Sequence, residues 1–179
     1  MIRSPEARLR ATQVLKLVSA SAPPTDVKAV AQRLGFDIID YDFPNLTSAV
    51  TYIEAAEGVR AIGVNRRHAV VRQRFSAAHE IGHFLCGHEA FDDAHVHVEE
   101  SQHQWNSQSA QEREADEFAA ELLMPLEWLK RDISKLGLDV TALARRYQVS
   151  EQAMWIQLFN HGLAERGGHA STKSGRSSR

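Results

Sequence analysis

The apolar positions change period along the chain. Over residues 4–20, Leu9, Val14, Leu17 and Val18 lie near one helical stripe, and Ser4-Pro5 supplies a cap with proline at the first helical position. Pro23-Pro24 breaks that pattern, and Thr25 or Asp26 opens a second helix through Val27, Val30, Ala31 and Leu34 that Gly35 stops. Short β-type runs follow at 36–40, 48–54 and 59–64, the last two joined by the turn sequence Ala55-Ala56-Glu57-Gly58, which together predict a small antiparallel sheet. Helical spacing returns at 75–87, where Ala78, Ile81, Gly82 and Leu85 form the apolar stripe. Residues 88–110 read as a polar, irregular loop. A helix runs over about 108–123, Met124-Pro125 ends it or starts another, and a helical pair follows at about 139–147 and 150–160. The small, polar, basic stretch 165–179 predicts disorder.

Composition narrows the class. With 179 residues, 43% hydrophobic and 25% charged, the chain can bury a core without disulfides or a structural metal. No apolar run approaches the roughly 20 residues of a membrane span, and the N-terminus lacks the continuous apolar stretch of a secretory signal. The single cysteine, Cys86, rules out an intrachain disulfide and points to a reducing, cytoplasmic location. A net charge of −2 argues against a broadly basic nucleic-acid binder. Nine histidines is the one unusual count.

Two of those histidines sit in His79-Glu80-Ile81-Gly82-His83, an H-E-x-x-H on the helix predicted over 75–87. Residues four apart share a helix face, so both imidazoles can bind one tetrahedral zinc from one side. Glu80 is turned about 100° from His79 by the helical repeat. It is badly placed to be a co-ligand, yet well placed to reach a water as general base. A catalytic zinc takes a third protein ligand, for which His88, His95, His97, His103, Glu112, Glu114 and Asp116 are the candidates. In 112–123 the apolar stripe is Ala115, Phe118, Ala119, Leu122 and Leu123. Glu112 and Asp116 lie at its inner edge, whereas Glu114, Glu117 and Glu121 point toward solvent. Glu112 is therefore the favoured third ligand, and Asp116, one turn on, can accept the second N–H of a liganding histidine.

The stretches RFSAAHEIGHFLCGH and EREADEFAAELLMP together resemble the ImmA/IrrE-type zinc metallopeptidases, closely over about residues 59–126. Glu112 falls on that family's glutamate ligand, Asp116 on its acidic or amide position, and Leu122-Leu123-Met124-Pro125 on its closing motif. The resemblance implies a gluzincin-like zinc site and an α+β, zincin-like fold. It also implies cleavage of a partner protein, often a helix-turn-helix transcriptional repressor. In such folds the strand before the metal helix, here 59–65, edges the cleft and offers its backbone to an extended peptide.

The segment DVTALARRYQVSEQAMWIQLFNHGL has the pattern of a helix-turn-helix. Its second helix opens with Ser150, Glu151 and Gln152, an acid and no base, so it fits packing or partner docking better than DNA binding. Cys86 reads as buried and inert. Trp105, Trp128 and Trp155 read as core or cleft-wall residues. The acidic, histidine-rich stretch 88–108 reads as a solvated loop placed to act as a lid. Tyr52, Arg74, His88, Tyr147 and His161 are candidate stabilisers of a developing oxyanion.

These readings assemble into a metallopeptidase domain over 1–130, a helical extension over 131–164 and a disordered tail over 165–179. The expected activity is limited cleavage of a transcriptional repressor in the cytoplasm. The expected metal is zinc, held by His79, His83 and Glu112, with Glu80 as base and Asp116 behind the ligands. The alternative is a regulatory binding protein with a silent or structural metal site, acting through a partner or DNA; an intact Glu80 speaks against it. A small-molecule or peptide hydrolase is a third reading.

Overall fold

A computed structural model describes residues 4–44, 47–54, 56–88, 95–100 and 109–165. Helix α1 (Pro5–Leu17) begins where the Ala7 N–H donates to the Ser4 hydroxyl, and α2 (Val27–Arg33) where the Ala29 N–H donates to Asp26. Both starts are the polar-cap arrangement their sequences announce. Strands β1 (Asp37–Tyr41), β2 (Thr47–Glu54) and β3 (Val59–Asn65) follow, then α3 (Val70–Cys86) and β4 (His95–Glu100). The chain continues with α4 (Ala110–Leu123), α5 (Leu126–Leu136), α6 (Val140–Tyr147) and α7 (Glu151–Asn160). No helix among the described residues is long and apolar enough to cross a membrane.

The sheet order is β1-β3-β2-β4. This corrects the expected antiparallel sheet, because β1 runs parallel to β3 while β2 is antiparallel to both β3 and β4. The β2–β3 hairpin covers one edge of each strand. With β4 on the outer edge of β2, the remaining edge of β3 is left for β1. Consequently β3 lies inside the sheet and is not the free edge expected of residues 59–65; the strand on the β2 side that ends the sheet is β4. The loop expected over 88–110 is thus interrupted by a strand, whose alternating Val96 and Val98 match a period of two. The rest of the expected lid, Trp105 and the tail from 166 lie outside the described residues.

Helix α3 is one turn longer at its start than the pattern predicts. It packs on β2 and β3 on one side and on α4 on the other, and Gly87 ends it with a left-handed φ of 69°. Ala49, Thr51 and Ile53 alternate along β2 as its buried face. The core is continuous from Ala7, Ala11 and Leu15 of α1 through Ile62, Ala78 and Ile81 to Phe118 and Leu122 of α4 and Leu143, Tyr147, Met154 and Leu158 of α6 and α7. Trp128 and Trp155 pack against it, partly buried, as wall residues.

Candidate metal centre

The site forms where α3 and α4 approach most closely. At Gly82 a methyl group would lie 3.1 Å from the Cα and the carbonyl oxygen of Ala115 and from Phe118 Cδ1, so glycine permits the crossing. One turn before Ala115, the Glu112 N–H donates to the Ser109 hydroxyl at 3.1 Å, which makes Glu112 the third residue of α4. The carboxylate extends across to α3, where Oε2 lies 3.3 Å from His79 Nε2 and Oε1 lies 3.3 Å from His83 Nε2. The two Nε2 atoms approach within 2.9 Å of one another. Both imidazoles are buried, and the adjacent His79 first and His83 next hold the Glu112 carboxyl well below the ordinary carboxylate range, against the effect of burial.

This donor set fits zinc. Two imidazole nitrogens and a carboxylate oxygen are its usual partners, and ligands about 2.0–2.1 Å from a tetrahedral ion stand about 3.3 Å apart. The two imidazole–carboxylate separations match that edge length, the imidazole nitrogens stand somewhat closer at 2.9 Å, and the three residues each offer a ligand atom within 4.8 Å of the others.

The residues behind the donors are equally specific. His79 Nδ1 lies 2.9 Å from Asp116 Oδ1, the contact expected one turn along α4. Glu80 is also buried but faces β2, where the Thr51 hydroxyl donates to its Oε2. Thr51 carried no motif. The signal available was a hydroxyl in the core-facing register of β2, between Ala49 and Ile53.

Helix periodicity misplaced three acids. Glu114, Glu117 and Glu121 are not turned to open solvent, because α4 is wedged among several elements. The Ser4 hydroxyl donates to Glu114 Oε1 and the Ser4 N–H to Glu117 Oε2, each at 2.6 Å. Glu121 is buried, accepting from the Leu126 N–H at 3.0 Å and lying 3.2 Å from His161 Nε2. Ser4 first, then His88, holds the Glu114 carboxyl below its usual range.

Of the other candidates, His88 meets His83 and Glu114 at 3.1 Å each. Arg74 is tied to the Gln148 and Thr25 carbonyls, Tyr147 to Asp132 and His161 to Glu121, all away from the two histidines. Tyr52 follows Thr51 on β2 and so faces the opposite side of the sheet. Cys86 is half-buried rather than fully so, and burial, followed by the Glu114 charge, pushes its thiol up to about 11. The side chains of His95 and His97, and His103 entirely, lie outside the described part.

The Peptidase_M78 family model, the IrrE N-terminal-like domain, matches residues 31–158. No curated protein matches the sequence. Among solved structures, a Mycobacterium tuberculosis transcriptional regulator shares the fold with a TM-score of 0.58 and 14% identity, over 87% of this chain and 47% of that one. The chain thus spans about half the length of that regulator.

Proposed function

The chain belongs to the M78 peptidase family, that of the IrrE N-terminal-like domain, and on that premise we propose that it is a zinc-dependent endopeptidase making limited cuts in a partner protein, with a helix-turn-helix transcriptional repressor as substrate. The observation that carries this reading is the convergence of His79 Nε2, His83 Nε2 and the Glu112 carboxylate within 2.9–3.3 Å of one another, close enough to share one ion. When bound, zinc supplies a Lewis acid that polarises the scissile carbonyl and brings a water within reach of a carboxylate base. Glu80 takes the water's proton on its carboxylate, which the Thr51 hydroxyl anchors through Oε2. Glu80 then delivers that proton to the leaving amine nitrogen as the C–N bond breaks. Asp116 accepts the Nδ1 proton of His79 and keeps its Nε2 lone pair directed at the ion.

In this reading residues 1–130 form a zincin-like catalytic part. Residues 131–164 form a helix-turn-helix-like extension that docks partners and does not read DNA, consistent with Ser150, Glu151 and Gln152 at the start of α7. A cytoplasmic site of action follows from the single half-buried thiol and a repressor substrate.

The test compares three proteins on candidate repressors. The parental chain should bind about one zinc and cut the cognate repressor at one or a few sites. Glu80→Gln should bind zinc equally well and cut nothing, because an amide cannot take the water's proton. Glu112→Gln should bind zinc weakly. Full cleavage by the Glu80→Gln protein, or full zinc retention by Glu112→Gln, would overturn the assignment.

A further inference from the structure

One group beside the site has no part in the chemistry above. His88 follows the helix-ending Gly87, with a side chain only 5% exposed and its ring edge-on to His83 at a centroid distance of 5.0 Å. Its placement becomes informative once tautomers are assigned along the chain of contacts.

If His83 presents Nε2 to the metal, that nitrogen carries no proton, so the ring proton sits on Nδ1. His83 Nδ1 lies 3.1 Å from His88 Nδ1. A hydrogen bond there requires His88 Nδ1 to be bare, which places the His88 proton on Nε2. That Nε2 lies 3.1 Å from Glu114 Oε2, a carboxylate that can only accept when ionised. The other oxygen of Glu114 accepts from the Ser4 hydroxyl at 2.6 Å. Every group from His83 to Ser4 therefore finds the role its neighbour leaves open. The opposite assignment, with His88 donating to His83 Nδ1, would put the His83 proton on the nitrogen that faces Glu112 and His79.

We propose that His88 is a positioning residue for His83, accepting its Nδ1 proton, with Glu114 and Ser4 holding His88 in turn. The proposal rests on His83 being a zinc ligand. His88 then does for the second histidine what Asp116 does for the first, with one imidazole interposed between ligand and carboxylate. Cys86, His88 and Glu114 also lie close enough to make a ligand set of their own. Two features disfavour that use. The Arg10 guanidinium, hydrogen-bonded to the Leu85 carbonyl, interacts with both Cys86 and Glu114 and would repel a cation. A metal on His88 would also break one of the two contacts that engage its nitrogens.

The test is zinc affinity of the full chain, measured by competition with a chromophoric chelator, for the parental protein, His88→Leu and His88→Asn. Leucine and asparagine have nearly the same shape, but asparagine offers a carbonyl oxygen close to where His88 Nδ1 stands. The parental protein should bind one zinc per chain. His88→Leu should bind roughly 10–100-fold more weakly, the usual cost of losing a partner behind a ligand, and His88→Asn should recover most of that loss. Nitrogen-15 shifts of the zinc-loaded parental protein give a readout that needs no variant: His88 should be the Nε2–H tautomer. Unchanged affinity in His88→Leu, an equal loss in both variants, or an Nδ1–H His88 would overturn the proposal while leaving the metal centre standing. So would a second zinc per chain that disappears in Cys86→Ser, since His88 would then be a ligand. A parental protein that binds no zinc would overturn the metal centre and this proposal together.

Discussion

Thr51 and Glu80, 29 residues apart in sequence, meet through a hydrogen bond from the threonine hydroxyl to the carboxylate Oε2. It joins β2 to the one acidic side chain of α3, the residue proposed above as the base. Thr51→Val keeps the shape and removes the donor. We expect kcat to fall about tenfold, equivalent to roughly 1.4 kcal/mol of transition-state stabilisation, with zinc content and KM unchanged. Thr51→Ser should restore most of the rate. Steady-state kinetics on the cognate repressor decide the matter, and equal losses in both variants would assign Thr51 to packing alone.

Gly82 sets the distance between the histidine helix and the glutamate helix. In Gly82→Ala the new methyl meets backbone atoms of Ala115 as well as Phe118 at 3.1 Å, so a side-chain rotation alone cannot relieve it. Overpacking of this kind costs about 1–3 kcal/mol, partly offset by the better helix propensity of alanine. Thermal unfolding should register that loss. Separation of α3 from α4 should also weaken zinc binding, because Glu112 travels with α4. A variant as stable as the parent, with undiminished zinc affinity, would show that the helices are not held at this contact.

Asp132 of α5 is buried yet accepts from Arg146 Nε at 2.7 Å, Tyr147 Oη at 3.0 Å and Arg131 Nε at 3.2 Å. Burial works to raise its carboxyl, and the donors, Arg146 and then Tyr147, outweigh it and hold the group below its ordinary range. A depressed carboxylate stabilises the fold above its unfolded pKa near 4, and that contribution fades as pH falls through the lower folded value. Tyr147→Phe deletes one donor and should lower stability at neutral pH by about 1–2 kcal/mol. Denaturation curves of parent and variant should converge as pH falls below about 4, as the carboxyl protonates in both. A gap that persists undiminished to low pH would mean that the lost tyrosine acts by packing.

The parts of the centre carried by local geometry were readable from the chain. His79 and His83 share a face because they are four apart, and the apolar stripe of α4 puts Glu112 and Asp116 on the edge that meets those histidines. What periodicity could not see were neighbours brought in from far along the sequence. Glu114, Glu117 and Glu121 read as solvated because a single apolar stripe does not show every contact surface of α4. In fact α1 packs along a second face, where Ser4 meets Glu114 and Glu117, and Gln157 and His161 reach Glu121 from the C-terminal helix. Thr51 was hidden for the same reason, since its partner lies on another element. The parallel pairing of β1 with β3 depends on which sheet edges the hairpin leaves open, a property of assembly rather than of any single run.

The C-terminal helices are joined to the rest of the molecule through charges that neither side can solvate alone. Glu121 of α4 is buried under Gln157 and His161, and the Gln157 amide also donates to the Met124 carbonyl at 3.3 Å. Asp132 is satisfied by Arg146 and Tyr147 of α6. Cutting the chain after α5 would strip partners from two buried carboxylates and remove Leu143, Met154 and Leu158 from the shared core. The helical pair is therefore not detachable cargo. A fragment that keeps these contacts has to run through His161, and anything that docks on α6 and α7 pulls on the same helix that carries Glu112.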